Sequence, residues 1–197
     1  MATTDPIRNK EDVKALLNYY RERKNYRNYF FIGLGVYSAL RVGDMLVLKW
    51  GMVYDFQRDM IKSHISLVEQ KTRKPKKFPI NDHLSRIMAE YKFSLEQRGL
   101  APTPDTYLFP SQKGDNKPIG RERAYCIIRD ASIELGIPGV IGCHSLRKTF
   151  GCHSYKSGVS PILLTDLYNH SSFHVTLIYL GIEQEERDKA YYALNFE

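Results

Sequence analysis

The chain has 197 residues, 43% apolar and 26% charged, which fits a soluble globular domain and excludes collagen-like, disordered and disulfide-scaffold classes. Lys and Arg outnumber Asp and Glu by 29 to 22, and the net charge of +7 points to a polyanionic partner, nucleic acid first. No apolar run approaches the roughly 20 residues that span a bilayer. Met1 to Lys10 lacks a signal-peptide core, and three cysteines fit a reducing compartment, so a cytoplasmic protein with no membrane partner is expected.

A leader over residues 1–9 precedes the first pattern. Val13, Leu16, Leu17 and Tyr20 recur at i, i+3, i+4 and i+7, which predicts an amphipathic helix running into the basic stretch Arg21 to Lys24. Tyr26 to Leu40 is nearly all apolar and predicts a central helix. A short helix with Met45, Leu46 and Leu48 follows Val42. Ile61, Ser63, Ile65 and Leu67 alternate with polar residues and predict a strand. Gln70 to Lys77 reads as a basic turn, and Phe78 to Ile80 as a short partner strand at an edge, because Pro79 donates no ladder bond. A first strand near Met52 to Asp55 would complete one small antiparallel sheet.

Helix returns after Asn81-Asp82, with Leu84, Ile87, Met88, Tyr91 and Leu95 as its stripe and Gly99 at its end. Residues 101–118 read as loop around the apolar island Tyr107 to Phe109. Further helices are expected from Arg121 to Leu135, from His144 to about Ser157, from Ser160-Pro161 through Tyr168, around Phe173 to Leu180, and from Glu183 onward. The fold class is therefore mainly α with a small antiparallel β-sheet, in a single domain over residues 1–197.

Four segments carry chemistry. Ser38 to Asp44 holds Arg41 and Asp44. The basic turn holds Lys71. His144 and Arg147 stand at i, i+3 on one helix face. His170 precedes Tyr179 by nine residues. Metal-free phosphodiester cleavage needs a nucleophile, fixed cations around the non-bridging oxygens and a proton donor for the leaving oxygen. These residue types supply all three, arginine with a planar fork that binds two oxygens at once. A zinc face of Asp166, His170 and His174 is the competing reading, although its spacing matches no common zinc pattern.

The order Arg, Lys, His-x-x-Arg, His, Tyr resembles that of the tyrosine recombinases, the phage integrase family. "ALRVGDMLVL" is similar to the box with the first arginine, "HSLRKTF" to the box with the second, and "LYNHSSFHVTLIYLGI" to the C-terminal box. The resemblance covers roughly residues 10–195 and implies the catalytic-domain fold of that family. It implies that Tyr179 attacks the scissile phosphate to form a 3′-phosphotyrosyl link. Arg41 and Arg147 would clamp the non-bridging oxygens, and His144 would serve as general acid/base. His170 would hydrogen-bond a phosphate oxygen, and Lys71 would protonate the departing 5′-oxygen. Asp44 would orient a group of the site without acting as an acid.

No metal, ATP or other cofactor is implied. The partners implied are double-stranded DNA and further copies of the chain in a tetrameric synapse, joined through the C-terminal helix of residues 183–197, whose face carries Arg187, Ala190, Tyr191 and Leu194. Arg73, Lys74, Lys76, Lys77, Arg121 and Arg123 are the candidate DNA-backbone contacts. Arg73 stands where the family commonly has glycine. The family's separate N-terminal DNA-clamping domain is expected to be absent, as in the short fimbrial invertases or in a chain cut to its catalytic domain. A type IB topoisomerase-like nicking-closing enzyme and a non-catalytic DNA-binding regulator are the alternative functions.

Overall fold

Helix α2 (Tyr26–Ser38) is the axis around which the chain packs. Its apolar residues from Tyr29 to Val36 are buried, and Phe30, Phe31, Ile32 and Leu34 are fully enclosed. Gly33 and Gly35 lie on opposite faces of α2. A β-carbon at Gly33 would press on Ile87, and one at Gly35 on Leu146, so these two positions let the helices that carry Ile87 and Leu146 close on the axis from two sides. The computed structural model describes residues 4–181, 188 and 191–193, among which the helical and strand elements are α1 (Lys10–Glu22), α2, α3 (Val42–Leu46), α4 (Trp50–Val53), β1 (Tyr54–Asp55), β2 (Met60–Ile61), β3 (His64–Val68), β4 (Pro75–Pro79), α5 (Asp82–Glu96), α6 (Arg121–Glu134), α7 (Cys143–Lys156), α8 (Pro161–Tyr168) and α9 (Phe173–Leu180). The helix expected from Glu183 lies largely outside the described residues.

The caps explain the helix boundaries. Asn9, Asn25, Asn81, Ser160 and Ser172 each accept a backbone N–H from the first turn of their helix. Gly136 and Gly158 take positive φ just past α6 and α7. The apolar island of the long loop is anchored: the Leu108 N–H donates to the Leu48 carbonyl, and Phe109 packs edge-on against Phe31 at 5.2 Å. Within the expected leader, residues 4–9 include contacts to α7. Ile7 is buried, its N–H donates to Thr149 Oγ1 at 2.9 Å, and Lys148 Nζ donates to the Thr4 carbonyl at 2.7 Å.

Three sequence expectations are corrected. The single sheet is two separate two-stranded ribbons, β1–β2 and β3–β4, both antiparallel. The chain changes partner between them: the Lys62 N–H bonds the Val53 carbonyl, while the Ser63 carbonyl accepts from Ile80. Met52 lies in the one-turn helix α4, not in a strand. The partner strand also begins earlier, at Pro75, so that Lys76 pairs with Leu67 and Lys77 with Ser66. The basic turn shrinks accordingly.

A second, smaller apolar cluster joins Ala39, Leu164, Tyr168 and Leu180, with Phe150 and Tyr179 packed against it. Gly151 of α7 makes this possible, because a β-carbon there would fall on Tyr168 Oη and Leu180 Cδ2. Gly151→Ala is expected to cost about 2–3 kcal/mol through overpacking, measurable by denaturant unfolding.

Candidate active site

Arg41, His144, Arg147, His170 and Tyr179 converge where α2, α7, α8 and α9 meet. Each is placed by local structure. α2 ends when Ser38 Oγ bonds the Leu34 carbonyl at 2.6 Å and Ala39 turns left-handed at φ 54°. The chain reverses, and Arg41 becomes the extended residue before α3. On α7, His144 sits in the first turn and Arg147 one turn further along. α8 stops at Asn169, which adopts the left-handed conformation tolerated by asparagine. His170 follows in the loop, and α9 then carries Tyr179.

The C-terminal end of α8 gathers the cations. Arg147 Nη2 donates to the Tyr168 carbonyl at 2.9 Å, and Arg41 Nη2 donates to the same carbonyl at 3.3 Å. Lys76 Nζ donates to the preceding carbonyl, that of Leu167, at 2.9 Å. Helix C-termini leave carbonyls unpaired and carry partial negative charge, which accounts for this clustering. Arg147 Nη1 completes its fork on the Ala39 carbonyl, and its guanidinium lies 4.5 Å from the Tyr168 ring centroid. Arg147 is buried, and the Arg41 side chain is 18% exposed.

Tyr179 lies against this cluster. Its ring meets His170 at 5.0 Å and Tyr168 at 5.4 Å, both edge-on, and Lys148 Nζ lies 5.2 Å from its centroid. Its hydroxyl is buried and makes no aligned hydrogen bond, with the Arg147 guanidinium beside it. Burial pushes its pKa up, while Arg147 and Arg41 pull against that shift. Arg41 Nη1 is also buried and makes no aligned hydrogen bond, although it forms an ion pair with Glu69 Oε1 at 2.9 Å.

Both histidines are held neutral. Burial, then Arg147 and Arg41, push His170 down to about 4. Burial, then Arg147 and Lys148, lower His144. His170 Nδ1 lies 3.1 Å from Thr176 Oγ1, which also accepts from Thr165 Oγ1 at 2.8 Å. An unfolded histidine takes up a proton near its ordinary value of 6.5, whereas folded His170 resists until about 4. The fold therefore loses stability as pH falls through that interval. His170→Gln is expected to flatten part of this loss in thermal melts compared at pH 7 and pH 5.

A cleft of about 460 Å³ opens beside the cluster, lined by Arg41, Asp44, Gln70, Lys71, Arg121 and His144 among others. Asp44 is buried, and its Oδ1 accepts the Gln70 N–H at 2.8 Å, which fixes the turn that presents Lys71. Lys71 itself is exposed. The turn needs a left-handed residue, and Arg73 supplies it at φ 57°.

The six cations expected at the DNA backbone do not share one environment. Arg73, Lys74 and Lys77 are exposed on the β3–β4 hairpin. Arg121 reaches the cleft, but Arg123 points elsewhere on α6, where its charge acts on Tyr20 and Arg27. Lys76 is not a surface cation. Its side chain is 7% exposed and shares the inner face of β4 with Phe78, and burial followed by Arg147 pushes its pKa down to about 8. The zinc face does not form. Asp166 and His174 lie on different helices with His170 between them, and among the described residues no three His, Cys, Asp or Glu side chains gather as metal ligands.

Sequence reasoning missed Glu69, which is fully buried at the centre of the cluster. The signal was available: Ile65, Leu67 and Glu69 continue the period-two alternation of β3 inward.

The sequence profile of the Phage integrase family matches residues 8–186. The chain is 36% identical over 191 residues to a probable integrase/recombinase, YoeC, of Bacillus subtilis strain 168, and covers 97% of each. It is 27% identical over 176 residues to a tyrosine recombinase of Pseudothermotoga lettingae, covering 89% of this chain and 56% of the relative. The crystal structure of XerA recombinase is similar with a TM-score of 0.72 at 22% identity, over 94% of this chain and 61% of that one. The post-cleavage complex of XerH site-specific recombinase with palindromic difH substrate also gives 0.72, at 19% identity over 97% and 53%. The two structural likenesses speak to the fold alone. The chain thus spans nearly all of the Bacillus relative and between half and two thirds of the other three. Among the described residues no helix is long and apolar enough to cross a membrane. With the family profile spanning nearly the whole chain, and a fold shared with recombinase catalytic domains, the protein belongs to the phage integrase family, the tyrosine recombinases.

Proposed function

We propose that the chain is a site-specific recombinase that cuts and rejoins double-stranded DNA through a 3′-phosphotyrosyl intermediate, in the integration, excision or inversion of mobile DNA. The observation that carries this reading is the grouping of the buried Arg147 guanidinium and the partly exposed Arg41 side chain with a buried tyrosine hydroxyl that makes no aligned hydrogen bond. In the proposed step Tyr179 Oη bonds to phosphorus as the bond to the 5′-oxygen breaks. The phenol proton passes to His144, which burial and then the neighbouring cations keep neutral, with a free ring nitrogen to take it. Arg41 and Arg147 carry the negative charge that gathers on the non-bridging oxygens. His170 hydrogen-bonds one of those oxygens, and Lys71 gives its proton to the leaving 5′-oxygen.

Lys71 is the proposed donor, not Lys76, because it stands on the exposed turn at the cleft whereas Lys76 Nζ is engaged by the Leu167 carbonyl. The link conserves the phosphoester, so religation runs the same steps in reverse without ATP. Two arginines supply the charge, and the chemistry calls on no cofactor. The cations Arg73, Lys74, Lys77 and Arg121 would lie along the DNA backbone, and copies of the chain would assemble on paired sites as a tetramer.

The test is incubation with labelled suicide duplexes, drawn from sequence flanking the gene and nicked beside each candidate site, in the presence of EDTA. A protein–DNA adduct that survives denaturation is expected. Duplex binding without any adduct would favour a DNA-binding regulator of the same fold. Supercoil relaxation by a monomer without site preference would favour a topoisomerase-like enzyme.

A further inference from the structure

The cluster contains a carboxylate that none of the roles above uses. Glu69 follows β3 and opens the turn that carries Lys71, with its N–H on the Lys74 carbonyl and its carbonyl accepting from Arg73. Its side chain has no exposed surface. Oε1 lies 2.9 Å from Arg41 Nη1 and 4.0 Å from Lys76 Nζ. Oε2 accepts from Thr72 Oγ1 at 2.6 Å and from Asn169 Nδ2 at 2.9 Å. These partners come from the α2–α3 junction, the Lys71 turn, β4 and the cap of α8 next to His170. Burial raises the Glu69 pKa, but the Thr72 hydroxyl and Arg41 more than offset it, so the group remains ionised.

A fixed negative charge here opposes the binding of a phosphate, and burying it is costly unless it is well paired. Such a group earns its place by orientation. Two hydrogen bonds to Oε2, from segments about 100 residues apart, hold it as a fixed joint and not as a mobile stand-in for the phosphate.

We propose that Glu69 is a positioning residue: its carboxylate sets the Arg41 guanidinium and locks the Lys71 turn to the His170 loop. The proposal deepens the recombinase reading and rests on it for the catalytic consequence, but the coupling of the two loops is a property of the DNA-free protein.

The test compares wild type with Glu69→Ala and Glu69→Gln. Gln keeps an oxygen that can accept from Thr72 and Asn169 but loses the charge and turns an NH2 donor towards Arg41 in place of the second carboxylate oxygen. In hydrogen exchange without DNA, Glu69→Ala is expected to speed exchange at Arg73 and at His170 together, by about tenfold or more, with α2 and α5 unchanged. Loosening of the turn alone, or of neither segment, would overturn the coupling. On any duplex that wild type attacks, the adduct rate is expected to fall about 10- to 100-fold in Glu69→Ala, with partial recovery in Gln. Duplex affinity should hold or tighten, because a negative charge has gone. An unchanged rate, or rate and affinity falling together in a variant that melts like wild type, would overturn the positioning role. A wild-type protein that attacks no duplex would count against the recombinase reading alone, and the exchange comparison would still decide the role of Glu69.

Discussion

Tyr179→Phe is expected to abolish covalent attachment to DNA while leaving duplex affinity intact and the fold no less stable. The first effect follows from loss of the attacking oxygen. The second follows from the hydroxyl's surroundings: it is buried against His170 and Tyr168, beside the Arg147 guanidinium but with no aligned hydrogen bond, and the phenylalanine ring retains both edge-on contacts. Removing an unsatisfied buried hydroxyl is neutral or stabilising, by up to about 1 kcal/mol. Denaturant unfolding measures this directly. A loss of more than about 1 kcal/mol would show that the phenol is hydrogen-bonded in the free protein, contrary to the geometry described.

Arg147→Ala carries the second large effect, on activity and stability together. Arg147 binds the carbonyls of Ala39 and Tyr168 and thereby ties the end of α2 to the end of α8. Truncation leaves the Ala39 carbonyl without this donor and takes one of two arginines from the Tyr168 carbonyl, at a cost of about 3 kcal/mol. For a chain of this size the melting temperature should fall by roughly 6–12 °C. Adduct formation should drop by about 10²-fold or more, because an oxyanion donor is lost along with the frame of the site. Arg147→Lys should restore part of the stability but little activity. An ammonium replaces the charge but cannot reproduce a planar fork across two carbonyls. Full activity in Arg147→Lys would contradict the fork as the working feature.

The cluster was legible where its geometry is local. His144 and Arg147 share a face because three residues make most of a helical turn, and the nine-residue offset sets Tyr179 against His170 across the α8–α9 turn. The burial of α2 followed from its near-continuous apolarity. What escaped depends on partners distant in sequence. Lys76 reads as a solvated charge because lysine is rarely buried unpaired. It is buried here because the Leu167 carbonyl and Glu69 meet it from other elements.

The ribbons failed for a different reason. Alternation runs unbroken from Ile61 to Leu67, while the hydrogen-bond partners change at Lys62 and Ser63, and periodicity does not register a change of partner. Trp50 to Val53 is a short apolar run of the kind that fits helix and strand equally. The stop of α8 at Tyr168, which creates the carbonyl pair for the cations, was expected from the sequence even though the αL residue at 169 is an asparagine and not a glycine.

The most direct measurement is to locate the DNA on the protein. A trapped adduct, digested with nuclease and trypsin, should yield one modified peptide, and tandem mass spectrometry should place a residual 3′-nucleotide on Tyr179. A nucleotide on Tyr168, Tyr191 or any other residue, or a duplex bound tightly at its own site with no linkage formed, would contradict the account.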